Sequence, residues 1–593
     1  MTPDKADFWW QDETNAAHEA VFAYVQSIEQ QQSHVTRRAE AHASLYANRE
    51  LIGGRDSGIP RQYAVTENVV ASCVDTAVAM IAGSLVRATF QTDGADWSTA
   101  RRAKKLEHFV DATCQRLRVD DTKQLAFRDG CIYGTGGVKI VASDGDISFE
   151  RVVMGPVPEI IVDEETCNNC DPHELFQRKW VDRAVLAAMY PEHAEAIKNA
   201  VADFGPHAFR RQSAKHQIPV VMAWRLPSSP GAGDGRYVMC LKEVTLEDSV
   251  YTKDALPFVF FRWTEPLTGF YGMGIAEALV GIQLRLNKLN KFVAKCQDMI
   301  AVPRVFGNFG QKGVTARIDN DIGAMINTRD GKPPTFYTPP AVAPETYAER
   351  EYLYKRAYEL TGISMLSAAS KKPAGVDSKV ALRELTDTES SRFAPVGQRF
   401  ERMHIDIARL FVEVGKEVFR GKKAKASFKA RHFTETIAWD DVDPKEDIYS
   451  IDIEAASIES RTPAGRVQMV SDLQAAGLVD TDTGRDLLDL PDLRRYNDQF
   501  NAPHRDIEAL IENLQNGKWE SPEPMQDLAG GIKQVQMQYL HDRREGAPEE
   551  VLDLMRRWMS QAQTELAKAA PPPIQPQAAT PMSAIAAQGS APM

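Results

Sequence analysis

The sequence predicts an α+β protein, with an N-terminal body of helices and strands followed by long helices. Three observations lead there. Short runs rich in β-branched and aromatic residues, punctuated by glycines, fall between Asp129 and Trp263 and read as strands. From Gly272 to Val302, apolar residues recur at alternating spacings of four and three, which places them on one helical face. The same rhythm returns between Lys379 and Arg420 in Val396, Phe400, Met403, Ile407, Leu410 and Val414.

Totals narrow the function. A chain of 593 residues exceeds what one hydrophobic core serves, so about two to four sub-domains are expected. A formal charge of -12 argues against a protein that coats nucleic acid by bulk attraction, leaving only local or weak phosphate contacts. The start, MTPDKADFWWQDE, has no basic segment ahead of an apolar core, and no window approaches about 18 uninterrupted apolar residues. Neither secretion nor membrane spanning is expected. Seven cysteines, an odd number scattered from Cys73 to Cys296, fit a reducing cytoplasm.

Taken in order, residues 14–48 carry a polar helical pattern, and Thr66 to Phe90 reads as a stronger helix with Val70, Val74, Ala77, Ile81 and Leu85 on one side. A further amphipathic helix turns Leu106, Phe109, Val110 and Cys114 inward. At Asp129-Gly-Cys-Ile-Tyr-Gly-Thr-Gly-Gly137, glycines permit tight turns ahead of a strand from Val138 to Val141. Asp144-Gly145 joins that strand to 147–153 as a hairpin. Strands are expected at 220–226, 236–241 and 258–263, with a short helical pair across 183–201. The helix from Gly272 leads into a Gly- and Pro-rich, β-containing lobe at 303–344, and a second helix, Glu345 to Leu360, returns from it. Gly362 to Gly375 holds three breakers and reads as a loop. It opens into the helix from Lys379, about 60 Å long at roughly 1.5 Å per residue, which Pro395 should kink. After Trp439 come the acidic turn Asp440-Asp441-Val442-Asp443-Pro444 and a strand near Tyr449 to Ile453. Short helices, with starts at Thr462-Pro463 and at Asp482 or Thr483, fill 460–568. The Pro-, Ala- and Gln-rich end from Pro571 reads as disordered.

Candidate chemistry is sparse. Cys167 and Cys170 with His173 have metal-like spacing, but a fourth ligand is missing and the plain reading is a loop with two thiols. Gly272-Met-Gly274 between a strand and a helix imitates a dinucleotide turn, yet the third glycine position is Glu277 and no ribose-binding acid follows. No GxxxxGK[ST] segment supports an ATP motor. Asp440, Asp441 and Asp443 could hold divalent cations for nucleic-acid chemistry, although a solvated turn closed by Pro444 explains them as well. His404, within the long helix, reads as a packing or surface residue. No cofactor is expected.

Three stretches together resemble the portal proteins, or head-to-tail connectors, of tailed bacteriophages. The first is Arg128-Asp-Gly-Cys-Ile-Tyr-Gly-Thr-Gly-Gly-Val-Lys-Ile140. The second is Pro257-Phe-Val-Phe-Phe-Arg-Trp263, then Gly269-Phe-Tyr-Gly-Met-Gly-Ile-Ala-Glu277 running into the long amphipathic helix. The third combines Thr361-Gly-Ile-Ser364, Lys372-Pro-Ala-Gly375, Ala381-Leu-Arg-Glu384 and Glu389-Ser-Ser-Arg-Phe393. The resemblance covers roughly residues 20 to 500 and is weakest in the lobe and the C-terminal quarter.

It implies a wing at 1–271, stem helices at 272–302 and 345–363 around a clip at 303–344, and a tunnel loop at 364–378. A long kinked helix with a wing return would occupy 379–460, a helical crown 461–568, and a disordered tail 569–593. It further implies a non-enzymatic ring of about twelve copies at one capsid vertex of the virion, made in the host cytoplasm, through which double-stranded DNA is packaged, retained and ejected. The implied partners are the terminase large subunit, a head-tail adaptor, the major capsid protein and scaffold.

Within that frame Ile275, Leu279, Ile282, Leu286, Leu289 and Val293 are the expected seam between subunits. Arg285, Lys288, Lys291 and Lys295, with Lys371, Lys372 and Lys379 of the loop, are the candidate sequence-blind DNA contacts. A lysine stripe opposite an apolar face is equally an ordinary solvated helix surface. A metal-dependent enzyme of nucleic acids using the 440–443 aspartates, and a capsid or adaptor protein without a DNA channel, remain the alternatives.

Overall fold

Backbone meets backbone at one glycine-lined corner, and the body is arranged around it. We describe the protein from a computed structural model over residues 8–11, 16–47, 67–82, 86–92, 97–143, 146–155, 157–167, 170–200, 216–301, 304–306, 335–337, 342–363, 379–419, 425–429, 434–439, 442, 449–455, 463–478, 484 and 502–569. It is a mixed α+β protein.

Helices α1 (Ala17–Gln31) and α2 (Ser33–Tyr46) divide the N-terminal helical pattern at Gln32. The predicted helix from Thr66 to Phe90 is overturned in its second half. Helix α3 (Val69–Ala77) passes into a single π turn, Val78–Ala82, and Val86–Thr92 is strand β1. Local periodicity could not show this, because the partner of β1 is the remote strand Tyr449–Ala455. Leu85 lies outside the described residues.

Helices α4 (Trp97–Arg116) and α5 (Val119–Tyr133) follow, and their inward residues Leu106, Phe109, Val110 and Phe127 lie in the main core. Strands β2 (Thr135–Ser143) and β3 (Asp146–Val152) form the expected hairpin, with Ser143 opposite Asp146. The Asp129 to Tyr133 segment is the last turn of α5, and the strand begins at Thr135 rather than Val138.

A second sheet contains β4 (Ile160–Ile161), β5 (Glu174–Asp182), β6 (Gln217–Arg225), β7 (Arg236–Cys240) and β8 (Thr245–Val250) in that spatial order. The short helices α6 (Arg183–Met189) and α7 (Ala194–Asn199) sit between β5 and β6 in the chain. Strand β9 (Phe258–Arg262) joins the other side of β2, giving a three-stranded sheet β3-β2-β9.

Helix α8 (Ile275–Ala301) leads to the short antiparallel pair β10 (Arg304–Phe306) and β11 (Thr335–Tyr337), and α9 (Pro344–Thr361) returns. Helix α10 (Lys379–Val418) continues through Pro395. Its six predicted core residues, Val396, Phe400, Met403, Ile407, Leu410 and Val414, are all buried. The β12 (Lys425–Lys429) and β13 (Thr434–Ala438) hairpin precedes Trp439, which packs on Phe109 and Phe419. Strand β14 (Tyr449–Ala455) then closes onto β1.

Helix α11 (Pro463–Ala475) starts at the predicted proline. Helices α12 (Ala502–Gln515), α13 (Leu528–Arg544) and α14 (Glu549–Ala569) share their own core around Trp558. Arg101 of α4 holds this unit to the body. Its guanidinium donates to the Gln515 carbonyl and to Asn516 Oδ1, placing a cation at the C-terminal end of α12, where the helix dipole favours it. The segment after Pro571 lies outside the described residues.

Between the two sheets Lys139 is buried, 8% exposed. Its Nζ donates to Gln177 Oε1 at 2.7 Å and stands 4.6 Å from the Trp224 ring centroid and 5.4 Å from that of Phe258. Burial pushes the ammonium down to about 8. The folded state therefore loses this proton at lower pH than the unfolded chain, and the contribution of Lys139 alone to stability should rise between about pH 8 and 10.5 by on the order of 3 kcal/mol. It is opposed by buried thiols and phenols such as Cys73 and Tyr24, which burial pushes up and which lower stability as pH rises past their unfolded values. Lys139→Met should abolish that rise. Denaturant titrations of both proteins at pH 7.5 and pH 10 measure the difference, in which the thiols and phenols common to both cancel.

Candidate nucleic-acid interface

Helix α8 can start where it does because Gly272 and Gly274 let it cross the end of α5. A Cβ on Gly272 would lie 2.6 Å from the Thr264 carbonyl oxygen and 2.7 Å from that of Gly134; one on Gly274 would lie 2.6 Å from that of Cys131. These contacts explain both glycines as sites of close packing, without a phosphate.

One side of α8 is polar and buried. Gln283 Oε1 accepts from the Val69 N–H at 2.9 Å, satisfying an orphan donor at the start of α3. Its Nε2 donates to the Glu67 carbonyl and to Asn287 Oδ1, each at 2.8 Å, and Asn290 donates to Glu67 Oε2 at 3.1 Å. Asn287 and Asn290 thus belong to an internal hydrogen-bonded row rather than to the cationic stripe. The spacing of Gln283, Asn287 and Asn290 at i, i+4 and i+7 was the available signal.

The apolar side of α8 corrects the expected subunit seam. Ile275, Leu279 and Leu286 lie within the chain's own main core, Ile282 packs against it, and Leu289 and Val293 are buried as well. Packed against α8 are α2, α3, α5 and α9 of the same chain. A period of 3.6 shows that a face is covered and is silent on which chain covers it.

The cationic residues divide. Arg285 ion-pairs with Glu349 of α9 at 2.6 Å. Lys288 and Lys295 are exposed and Lys291 is half-buried; among the described residues none of the three makes an ion pair. Leu284 and Phe292 share this surface, 43% and 52% exposed, so it is mixed rather than purely basic. Opposite runs α9, whose 18 residues bury only Ala357 and leave Tyr352 63% exposed. Lys371 and Lys372 lie outside the described residues. Lys379 is the first residue of α10, and its side chain also lies outside them.

The other candidates have local explanations. Cys167, Cys170 and His173 do not converge; among the described residues, the one group of three potential metal ligands is His541, Asp542 and Glu545. There Asp542 is buried and already accepts from Gln515 and Gln538. His404 is buried, with Nδ1 2.8 Å from the Phe400 carbonyl oxygen, and burial pushes its pKa down to about 4. Asp440, Asp441 and Asp443 lie outside the described residues. Among the described residues no helix is long and apolar enough to cross a membrane. No family model and no curated protein matches the chain.

Proposed function

We propose that the chain is one subunit of a portal-type ring at a capsid vertex, a conduit through which double-stranded DNA is packaged, retained and ejected. The observation that carries the reading is an unfinished helix pair: α8 and α9 bracket the β10–β11 pair, and α9, though Leu353, Tyr354 and Tyr358 pack on the core, fully buries only Ala357 and leaves Tyr352 and Leu360 exposed. Helices of this length take their stability from packing an apolar face. Exposed Tyr352 and Leu360 on α9 therefore call for neighbours, and copies related by rotation supply them while closing a tube.

In this reading 1–271 with the return of α10 and β14 is the wing, α8 and α9 the stem, 303–344 the clip, 364–378 the tunnel loop and 461–568 the crown. The seam uses the exposed Tyr352 and Leu360 of α9, not the buried Ile275 series, and leaves the mixed face of Lys288, Lys291 and Lys295 toward the channel. The packaging terminase and then a head-tail adaptor dock on the ring, and capsid protein and scaffold surround it.

Negative-stain imaging of the purified chain tests the proposal. A symmetric ring of about a dozen copies with a hole wide enough for duplex DNA is expected, and a compact monomer or an open sheet would sink it. The lysines have their own test. Replacing Lys288, Lys291 and Lys295 with Gln should leave rings intact and shorten or destabilise the packaged genome, because phosphate contacts depend on cationic charge. Unchanged genome length and retention would make them a solvated helix face.

A further inference from the structure

A groove of about 700 Å³ runs along β9, outside the helix pair. Its floor is formed by Phe258, Val259, Phe260 and Arg262; one wall is the polar side of α10, and the other is Glu265–Gly269 with Cys170 and Asp171. Strand β9 is the last strand of its sheet. In the antiparallel ladder to β2, the Trp263 N–H donates to the Gly134 carbonyl and the Ile140 N–H to the Pro257 carbonyl. Bonded pairs alternate along such a ladder, so Val259 and Phe261 also face β2. The N–H and C=O groups of Phe258, Phe260 and Arg262 consequently face the groove.

That edge is competent to pair. One step further along, Thr264 exchanges both backbone hydrogen bonds with Met273, each 3.1 Å. The positions before it have the same geometry and no strand beside them among the described residues.

Charge along the α10 wall is polarised, and Asp171 and Glu265 face its Arg262 end from the opposite wall, where both act on Arg262. At the Arg262 end, Arg399 and Arg402 make no ion pair among the described residues, and Arg399 Nε is buried without a partner. Midway, Arg409 and Asp406 neutralise each other at 3.5 Å. Glu413 stands at the far end, near Tyr251 and Leu256. Arg262 is already committed to the carbonyls of Cys170 and Phe270, at 2.7 and 2.9 Å.

We infer that this groove binds an extended peptide segment of a partner protein, which adds a fourth strand at the free edge of β9. The segment sets a carboxylate side chain against Arg399 and Arg402 and a basic side chain against Glu413. Backbone pairing supplies affinity and the end charges supply register. At roughly 3.3 Å per residue the strand offers room for about five residues. Nothing in this inference depends on the ring.

The test uses the full-length protein and fluorescent hexapeptides of alternating Val and Thr, with two acidic residues at one end and Lys at the other, in both chain directions. In residue-resolved hydrogen exchange, the amides of Phe258, Phe260 and Arg262 should exchange fast in the free protein and slow when a peptide is added, while those of Val259, Phe261 and Trp263, bonded to β2, stay protected throughout. Fluorescence anisotropy should show one direction binding. N-methylation of alternate peptide nitrogens should weaken it at least tenfold, with no change to the protein. Arg399→Glu with Arg402→Glu should weaken it tenfold and be rescued by a peptide that carries Lys at both ends. Slow exchange of Phe258, Phe260 and Arg262 before peptide is added would mean that a second copy or another segment of the chain already covers the edge, overturning the proposal. So would equal binding of the N-methylated peptide, or no binding by 1 mM.

Discussion

Gly134→Ala should prevent the body from folding at its usual stability, lowering it by about 2–5 kcal/mol, with loss of soluble yield as the first sign. Two penalties combine. Gly134 ends α5 at φ +92, in the left-handed region where a Cβ is unfavourable. The added atom would also lie 2.0 Å from the Gly272 carbonyl oxygen, a backbone atom with no rotamer to yield. Gly397→Ala is the contrasting control. Nothing lies within 4 Å of a Cβ there, inside α10, so alanine should raise stability by about 0.5–1 kcal/mol. Thermal unfolding midpoints of the two variants should move in opposite directions; equal behaviour would remove the corner from the account of the fold.

Asp129→Ala should cost about 3–5 kcal/mol, because it strands a charge. Asp129 is 1% exposed and accepts from Arg151 Nε at 2.7 Å and from its terminal nitrogen at 2.6 Å. Burial pushes the carboxyl up while Arg151 opposes it, so the pair is held by mutual need rather than by a large net gain. Removing Arg151 as well, in Asp129→Ala with Arg151→Met, should recover part of the loss. Denaturant midpoints of the four proteins form the cycle. A double variant as unstable as the sum of the singles would exclude the coupling.

Gly134 and Asp129 both sit in the Arg128 to Ile140 motif, which was conspicuous in the sequence for its glycines alone. Helix α10 and the strands Gln217–Arg225, Arg236–Cys240 and Phe258–Arg262 were legible because their periodicity is local. Strands Glu174–Asp182 and Thr245–Val250 were not read, and three further features were hidden. Strand β1 was hidden inside an apparently helical run, since its pairing with β14 is made far along the chain. The Gln283-Asn287-Asn290 row resembled solvent-facing polarity until Glu67 and Val69 were seen beside it. The Ile275 to Val293 stripe was correctly read as covered, but its cover is intrachain. Of the candidate site, charge and exposure at Lys288 and Lys295 were readable, whereas the pairing of Arg285 with Glu349 required the fold of α9.

The pairing of Thr92 with Tyr449 also sets an order of events during synthesis. At about 5–20 residues per second, the second strand leaves the ribosome roughly 20–70 s after the first. Throughout that interval β1 offers an unpaired edge, the kind of surface that recruits other chains. Helices α8 and α9 are complete before the edge is satisfied. Nascent copies crowded on one message would thus present both an open strand and an open helix pair, and release from the ribosome, rather than early contact, is the safer moment for these chains to meet.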